Sequence, residues 1–500
     1  MTKGENMTFA KKMGVGKIAA SAAAGGLTLF AALPAWAQEA AAAAPVVDKG
    51  DTAWMMTSTV LVLAMILPGL ALFYGGLTRS KNMLSTMTQI GAVACLAMIV
   101  WVCYGYGLAF GPEGNAFISW GKFFLAGVTP DSLADTFSDG FKLPEYVFIC
   151  FQMTFAAITL ALVLGATVER MKFSAALVFG VIWLTIVYFP IAHMVWAVGG
   201  FLFEGKMFGT DLPAALDFAG GTVVHINAGV SALVAAMILG KRIGYQKEIM
   251  APHSLTLTMV GTGLLWVGWF GFNAGSALEA NGSAALAMIN TFVATASAGL
   301  AWMLAEKLGG HKPSALGFCS GIITGLVAVT PAAGNSGPFG AIVLGAVAAF
   351  ICFYVVTVLK PKLGYDDALD AFGIHGVGGI VGAIGTGIVY APSLGGPGGE
   401  DFAMGPQVVT QIVAVPVSYT HRRQGAHRPA GHRRSRTRRP RPRRTWGTRL
   451  QYVITRQDTR RRSLLFQTGG GVLTRFLLRT THGRDAKAPR PFFCADCAAQ

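Results

Sequence analysis

Two histidines stand in apolar segments of this 500-residue chain, His225 in DFAGGTVVHINAGV and His375 in DAFGIHGVGGIVG. No other ionisable residue lies within one helical turn of either histidine. A neutral imidazole offers one hydrogen-bond donor and one acceptor, so two in contact could accept a proton, pass it on and bind an uncharged polar solute. A histidine bonded to a backbone carbonyl is the alternative. Ionisable residues inside membrane segments are costly, which favours the functional interpretation for two in matching contexts.

The sequence around the two histidines repeats. Small residues that let membrane helices approach closely follow at helical spacing: Gly229, Ala232, Gly379 and Gly382. A carboxylate also precedes each histidine, Asp217 by eight residues and Asp370 by five. An ionisable residue inside a membrane segment is expected to have a partner nearby, and these carboxylates are the candidates.

Asp217 has two interpretations that do not exclude each other. A carboxylate at a helix start accepts hydrogen bonds from free backbone N–H groups and opposes the helix dipole. It is also a fixed negative charge that would draw a cation towards nearby aromatic rings.

Aromatic side chains gather near the ends of the predicted helices that face outwards. They are Phe151, Phe155, Trp196, Trp269, Phe270 and Phe272, and Ser276 follows them. One interpretation is an interfacial aromatic belt together with core packing. The other is a cage in which aromatic faces bind a small cation, with about 0.5–2 kcal/mol from each good contact. The serine hydroxyl would add a hydrogen-bond acceptor. Since no carboxylate is placed to contact the ion, such a cage would hold it weakly.

The composition is that of an integral membrane protein, with 53% hydrophobic residues, 13% charged residues and 64 glycines. The net charge of +16 belongs to the C-terminal region. Residues 419–500 hold 21 of the 40 Lys and Arg and three of the 24 acidic residues, leaving 19 bases and 21 acids before them. The main body is therefore not basic, and we expect no nucleic-acid partner. Its five cysteines lie singly in apolar runs and do not indicate a disulfide framework.

Ten apolar runs of membrane-spanning length follow one another at about 52–76, 84–110, 146–168, 174–197, 219–240, 255–273, 284–305, 315–332, 338–359 and 371–391. An eleventh begins near Gln407. Basic residues follow every odd-numbered run, as an outer N-terminus and the positive-inside rule require. Runs one to five and six to ten then form two halves of inverted topology, and the histidine helices are the fifth member of each half. The sequence predicts an all-α polytopic membrane protein with its site at the interface of the repeats, near the midplane. The run boundaries themselves place the histidines nearer opposite faces.

Residues 1–37 have the features of a secretory signal peptide. Three lysines precede an apolar run that ends in Ala35-Trp36-Ala37, a small-x-small cleavage site. The mature chain would begin at Gln38, outside the cytoplasm. This predicts a multi-pass protein of a bacterial inner membrane with a periplasmic N-terminus.

Seven segments carry a resemblance to a known family. In chain order they are GLALFYGGLTRSKN, FQMTFAAITLALVLGATVERMKFS, IAHMVWAVGG, DFAGGTVVHINAG, GWFGFNAGSA, GLVAVTPAAG and DAFGIHGVGGIVG. Together they resemble the ammonium transporter (Amt/Mep/Rh) family, of the bacterial Amt type, over about residues 46–415. The resemblance implies a homotrimer of eleven-helix subunits in membrane lipid, each with its own pore.

The resemblance also implies roles for particular residues. Trp196, Phe155 and Ser276 would form the outer ammonium site, to which we add Phe151 from the aromatic cage. Phe155 and Phe272 would form the gate, and His225 and His375 the paired pore histidines. Asp217 would be the family aspartate that uptake requires, near the site without being a direct ligand. The implied mechanism recruits ammonium, removes its proton, conducts ammonia and relays the proton along the histidines.

The C-terminal region departs from the family. The main domain would span 38–418, but the eleventh run, QVVTQIVAVPVSYT, is short and contains Pro416. Residues 419–500 are Arg-rich, with Arg-Pro repeats that cannot bury a core, so we expect disorder and interpret the segment as a frameshifted or chimeric end. A patch for nucleic acid or anionic lipid is the alternative. The family tail that docks PII-type regulators is not recognisable, and a lone CxxC at Cys494 is too weak to predict a metal site.

Other functions remain open at this stage. They are a facilitator of urea, water or another small polar solute, an ammonium sensor, and an electron-transfer protein with two histidines as axial haem ligands. The glycine ladders argue against haem because they favour close helices over room for a macrocycle. We expect a transporter that is not an enzyme and needs no cofactor or metal.

Overall fold

The computed structural model describes residues 45–205, 207–420, 462–467 and 473–478. The predicted signal peptide lies outside the described residues, as does most of the Arg-rich segment. The chain divides into two units, Met1–His427 and Arg428–Gln500. The described part of the second unit is one antiparallel hairpin, formed by Arg462–Gln467 and Leu473–Leu478.

Eleven helices make up most of the described part of the first unit. They are α1 Lys49–Leu77, α2 Ser80–Phe110, α3 Glu145–Ala166, α4 Phe173–Trp196, α5 Gly221–Leu239, α6 Leu255–Ala277, α7 Gly282–Leu308, α8 Ala315–Ala332, α9 Pro338–Leu363, α10 Phe372–Val389 and α11 Met404–Thr420. Within the described residues, the first ten are long and apolar enough to cross a membrane. The ten predicted runs are thereby confirmed, with ends that differ by a few residues. We call the side of the α4–α5 connection the outer side, following the orientation predicted from the basic residues.

Local sequence sets several helix starts. Ser254 caps α6 by accepting a hydrogen bond from the N–H of Leu257. Asn281 caps α7, and Ser314 caps α8, through their own side-chain oxygens. Side-chain caps of this kind satisfy backbone N–H groups that have no partner inside the helix. The boundaries of these helices therefore follow from single residues.

Short strands cover the outer ends of the first four helices. They are β1 Val46–Val47, β2 Glu113–Asn115, β3 Ile118–Trp120, β4 Leu133–Asp135 and β5 Phe141–Pro144. Strand β5 lies between β1, in parallel, and β4, in antiparallel orientation, while β2 and β3 form a separate hairpin. The β2–β3 hairpin follows α2 directly and packs against the outer end of α4.

The centre of the bundle is formed by the helices that carry the candidate site and their neighbours. In the most apolar stretches of α3 and α8, 78% of the residues are buried, against 33% in α9. Close packing there depends on small residues. A Cβ on Gly325 would lie 2.7 Å from the carbonyl oxygen of Ala294, and one on Gly345 would lie 2.3 Å from the same atom. Helices α7, α8 and α9 thus pack backbone to backbone, as glycine allows in lipid.

Helix α11 is short and begins slightly before the predicted Gln407. It contains 17 residues, with Pro416 inside it, and packs along α10. A helix of that length rises about 25 Å, which is less than the roughly 30 Å of a hydrocarbon core.

Candidate transport pathway

The two histidines meet inside the bundle. Nδ1 of His225 lies 3.3 Å from Nδ1 of His375, and the rings stack with their centroids 5.4 Å apart. Both side chains are buried. Each histidine lies in a π-helical turn that opens its helix, at Gly221–Ile226 in α5 and Phe372–Gly376 in α10. A π-helical turn is rare and is frequent at functional sites.

The histidines meet because their helices begin inside the protein and not at its surface. The carboxylates before the two π-helical turns are buried, with Asp217 7% and Asp367 0% exposed. Helices α5 and α10 therefore enter from opposite sides with starts already below the surface. The run boundaries alone suggested that the histidines lay nearer opposite faces.

The glycine ladders bring α5 and α10 together. A Cβ on Gly229 would lie 2.2 Å from the backbone nitrogen of Gly376, and one on Gly379 would lie 3.1 Å from Cβ of His225. The ladder of each helix thus packs against the π-helical turn of the other. This confirms the close approach that the small residues predict.

Asp217 caps α5. Its carboxylate accepts hydrogen bonds from the backbone N–H groups of Gly220, Thr222 and Val223, at 3.1, 2.9 and 3.0 Å. The Trp196 indole N–H donates to the backbone carbonyl of Asp217 at 2.9 Å. Burial raises the pKa of Asp217 to about 6, although the N–H groups oppose that rise. The predicted cap is confirmed, and the cap also holds the aspartate beside Trp196.

Asp367, and not Asp370, is the counterpart of Asp217 in the second half. Its carboxylate accepts from the N–H groups of Ala371, Phe372 and Gly373 at 3.0, 2.8 and 3.2 Å. Burial raises the pKa of this carboxyl as well. Asp370 is the carboxylate nearest to His375 in the sequence, but its side chain accepts from the Lys360 ammonium at 2.5 Å. The missed signal was the spacing, since Asp367 precedes His375 by the same eight residues that separate Asp217 from His225.

A column of aromatic rings leads from the outer side to the histidines. Phe155 stacks on Phe272 with centroids 4.2 Å apart and planes 12° from parallel. Trp196 meets Phe155 edge-on at 5.8 Å, and Phe151 lies 4.8 Å from Phe155. Phe272 in turn lies 5.9 Å from His225. The stacked pair therefore separates the outer rings from the histidines.

Ser276 lies beside this column at the end of α6. Its hydroxyl donates to the backbone carbonyl of Phe272 at 2.8 Å, and the side chain is 8% exposed. A hydroxyl that donates its proton in this way still has oxygen lone pairs to offer a cation.

Two other predicted outer aromatic residues lie elsewhere. Trp269 stacks on His225 with centroids 5.4 Å apart and donates its N–H to Thr330 Oγ1 at 3.0 Å. Phe270 packs against Phe292 on another face of α6, 4.2 Å away. Trp269 therefore lies beside the histidines and Phe270 lies on another face of α6, so neither lies with the Trp196 ring. Adjacent residues of a helix point about 100° apart, and the end of the apolar run gives neither the depth nor the direction of each.

Two cavities lie along the path. The one beside the histidines offers about 10 Å³ to the centre of a water-sized sphere, which is room for about one small molecule. Apart from the two imidazoles its walls are apolar, and they include Trp269, Phe272, Leu162 and Ile323. A cavity of about 320 Å³ lies further in, and Phe73 lines both.

The haem alternative does not fit this geometry. The imidazole nitrogens contact each other at 3.3 Å, so the rings cannot also bind opposite faces of one macrocycle.

Helix α11 forms hydrogen bonds with the segment before Asp217. The sequence did not indicate these contacts. The Gln411 side chain accepts from the N–H of Leu216 and donates to the carbonyls of Leu216 and Ala383, each at 2.8 Å. Gln407 donates to the carbonyl of Ala214 at 2.9 Å. The short last helix therefore fixes the outer loop that carries the aspartate.

The sequence model described as the Ammonium Transporter Family matches residues 53–421. The chain belongs to the ammonium transporter family. It is 48% identical to the ammonium transporter of Aquifex aeolicus over 369 residues, which cover 74% of this chain and 83% of that protein. It is 46% identical to the ammonium transporter of Bacillus subtilis over 377 residues, covering 74% and 89%.

Solved structures agree with this family membership. The crystal structure of Candida albicans Mep2 superposes with a TM-score of 0.66 at 37% identity, over 75% of this chain and 82% of that one. A structure described as a sensor Amt protein gives 0.65 at 27% identity, over 74% and 90%. Residues 53–421, which the family model matches, include the aromatic column and both histidines.

Proposed function

We propose that this protein takes up ammonium by recruiting the ion at its outer aromatic rings, removing the proton and conducting ammonia past the paired histidines. The observation that carries the proposal is the arrangement of the column. Asp217 and Trp196 lie on the outer side of a closed phenylalanine pair, and the two imidazoles lie on the inner side of it.

Recruitment depends on charge and on aromatic faces. The Asp217 carboxylate lowers the energy of a cation at the outer mouth, and Trp196, Phe155 and Phe151 contribute cation–π attraction. Ser276 supplies an oxygen that accepts an N–H of the ion. These contacts are individually weak, which suits an ion that must leave again.

Removal of the proton follows from the dryness of the path beyond the gate. Phe155 and Phe272 leave no gap between their stacked rings, so a ring must turn before anything passes. Beyond them, a cation would lose its water and gain only apolar contacts and two imidazoles. Because that loss is large for an ion and small for ammonia, the neutral molecule passes more easily.

The histidine pair provides the polar step inside the apolar wall. A contact between two ring nitrogens requires one of them to carry the proton and the other to accept it. Such a pair can pass a proton along, and its remaining nitrogens can form hydrogen bonds with ammonia in the small cavity. In this proposal the proton is relayed separately from the uncharged molecule.

The wider setting is also a proposal. We place the protein in the inner membrane of a bacterium, with residues 1–37 removed and the mature N-terminus in the periplasm, as a homotrimer with one pore in each subunit. Members of the family are regulated by PII-type proteins through a C-terminal tail. We assign no such docking function to residues 419–500.

A sensor is the second candidate, because a protein described as a sensor Amt is among the similar structures. The two functions share an outer site and differ in whether ammonium produces a sustained current.

The test is the ammonium-induced current of the full chain in proteoliposomes. We expect a current that Trp196→Leu reduces at low ammonium and that simultaneous His225→Leu and His375→Leu abolish, with Ile158→Val, another lining residue of the small cavity, as the control. A double variant with the current of the unmodified protein would refute the histidine relay. A protein that binds ammonium without any current would favour the sensor.

A further inference from the structure

His193 makes two hydrogen bonds that a neutral imidazole cannot make together. Its Nδ1 lies 2.9 Å from the carbonyl oxygen of Ala109, and its Nε2 lies 2.8 Å from the carbonyl oxygen of Asn115. A carbonyl oxygen only accepts hydrogen bonds, whereas a neutral imidazole has one N–H. The side chain is 4% exposed, and at these distances no water fits between the ring nitrogens and the two oxygens. Both contacts are satisfied only when both ring nitrogens carry protons.

The local backbone favours that positive charge. Ala109 lies in the last turn of α2, which ends at Phe110, where carbonyl groups have no partner inside the helix. The C-terminal end of a helix carries partial negative charge and stabilises a protonated histidine. Asn115 ends strand β2, so the ring joins the end of α2 to the β2–β3 hairpin.

This connection lies one helical turn from the outer site. His193 and Trp196 are three residues apart on α4, and Trp196 is the last residue of that helix. The segment that follows is tied to the same region, since the N–H of Phe201 donates to the carbonyl of Ala116 and that of Leu202 to Met194, both at 2.8 Å. The end of α4, and with it Trp196, is therefore held against α2 and the hairpin.

No other ionisable side chain among the described residues is hydrogen-bonded to the His193 ring. Four described elements pack on this end of α4: the outer end of α2, strand β3, the turn at 184–188 and the start of α5. Their ionisable residues are Tyr106, Tyr188 and His225. Tyr106 donates to the Glu145 carboxylate at 2.6 Å, which also accepts from Lys122 at 2.5 Å. Strand β3 carries no titratable side chain, and its neighbour β2 carries Glu113, which accepts from the indole N–H of Trp120. Asp217 is bound to the backbone of α5. The hydrogen bonds of the His193 ring in this part of the chain go to the two carbonyls alone.

We propose that His193 is a positioning residue that carries two protons in the working protein and, by bonding Ala109 and Asn115 together, holds Trp196 in the orientation that binds ammonium. The inference rests on the outer site of the proposed function. Loss of either contact would loosen the end of α4 and weaken ammonium binding at Trp196.

The first arm measures protonation directly. Nitrogen-15 NMR of the full chain in lipid, with the His193 signal assigned by its loss in His193→Gln, should show two protonated ring nitrogens at about pH 7. His253 is the matched control, because only its Nδ1 contacts a carbonyl, that of Thr78 at 2.9 Å, and one N–H satisfies it. A neutral His193 ring at that pH would overturn the proposal, whatever the transport activity.

The second arm measures transport at one fixed pH of the outer solution. The KM, expressed as ammonium ion, should be about tenfold higher in His193→Gln than in the unmodified protein, which is the effect of losing one charge-assisted hydrogen bond. The kcat should change much less, and His253→Gln should behave as the unmodified protein does. A His193→Gln variant with the KM of the unmodified protein would overturn the inference. An unchanged KM in Trp196→Leu would instead refute the outer site, and the NMR result distinguishes the two failures.

Discussion

Asparagine at position 217 would separate the two functions of a residue that both caps α5 and carries a charge. The amide oxygen can keep the hydrogen bonds from Thr222 and Val223, which reach one carboxylate oxygen, and the substitution removes the negative charge. We expect Asp217→Asn to fold normally and to lose roughly tenfold or more in uptake at low ammonium, because a charge at the mouth is worth about 1–4 kcal/mol to a nearby cation. Asp217→Ala should lose the cap as well and unfold at lower temperature. Normal uptake by Asp217→Asn would leave the residue with its structural function alone.

The same residue predicts a pH dependence. Since the pKa of Asp217 is raised to about 6, its carboxylate is charged above that pH and neutral below it. Uptake should therefore fall as the outer pH decreases through about 6, and the fall should be missing in Asp217→Asn. Initial rates in proteoliposomes at a fixed inner pH test this. An unmodified protein that keeps its full rate well below pH 6 would contradict the expectation.

At the level of single residues, the sequence predicted which side chains belong to the pathway better than it predicted which groups each of them contacts. The histidines, Asp217 and the gate phenylalanines lie together, but Trp269 lies against His225 and not at the mouth. Asp367 was missed because Asp370 is nearer to His375 in sequence. His193 gave no signal, since its partners are backbone carbonyls 84 and 78 residues away, which no side-chain pattern reveals.

Among the helices, the close packing of α5 on α10 requires a glycine at position 229. A methyl group at Gly229 would lie 2.2 Å from the backbone of Gly376, so Gly229→Ala must push α10 away and separate the histidines. We expect this variant to unfold at lower temperature and to lose most of its ammonium-induced current. Gly263→Ala is the matched control, since a Cβ there meets nothing within 4 Å. Equal stability and current in the two variants would show that the helices are less closely coupled than the packing indicates.

Helix α11 holds the loop before Asp217 in place through Gln411, and this contribution can be measured. Gln411→Leu leaves the N–H and the carbonyl of Leu216 and the carbonyl of Ala383 without their partner. Unsatisfied buried groups cost about 1–3 kcal/mol each, so we expect a lower unfolding temperature and a higher KM for ammonium. Thr410→Val, which removes one bond to the carbonyl of Pro213, should have a smaller effect. A Gln411→Leu variant with an unchanged KM would mean that the loop before Asp217 holds its position without α11.

The order and ends of the helices could be predicted, because apolar runs and basic loops record how the chain crosses the membrane. The π-helical turns and the buried starts of α5 and α10 could not. They depend on which backbone groups find partners after the halves have packed, and a hydropathy pattern carries no such information. The contacts of Gln411 were missed for a related reason. A glutamine in an apolar helix is expected to form hydrogen bonds, but the sequence does not identify the groups it bonds to.

At the scale of the whole molecule, the pathway is complete before the region that departs from the family. Every residue assigned to the column precedes 376, and the α11 contacts to the outer loop come from Gln407, Thr410 and Gln411. A chain ending at 418 should therefore give the same ammonium-induced current per protein as the full chain, because the Arg-rich segment supplies no pathway residue. Trypsin should shorten the full chain to a similar product, since Arg-Pro repeats cannot bury a core. Neither chain should bind a PII-type regulator in a pull-down. A protected segment, a large loss of current in the shorter chain, or tight regulator binding that requires residues 419–500 would refute the frameshift interpretation and make that segment a functional domain.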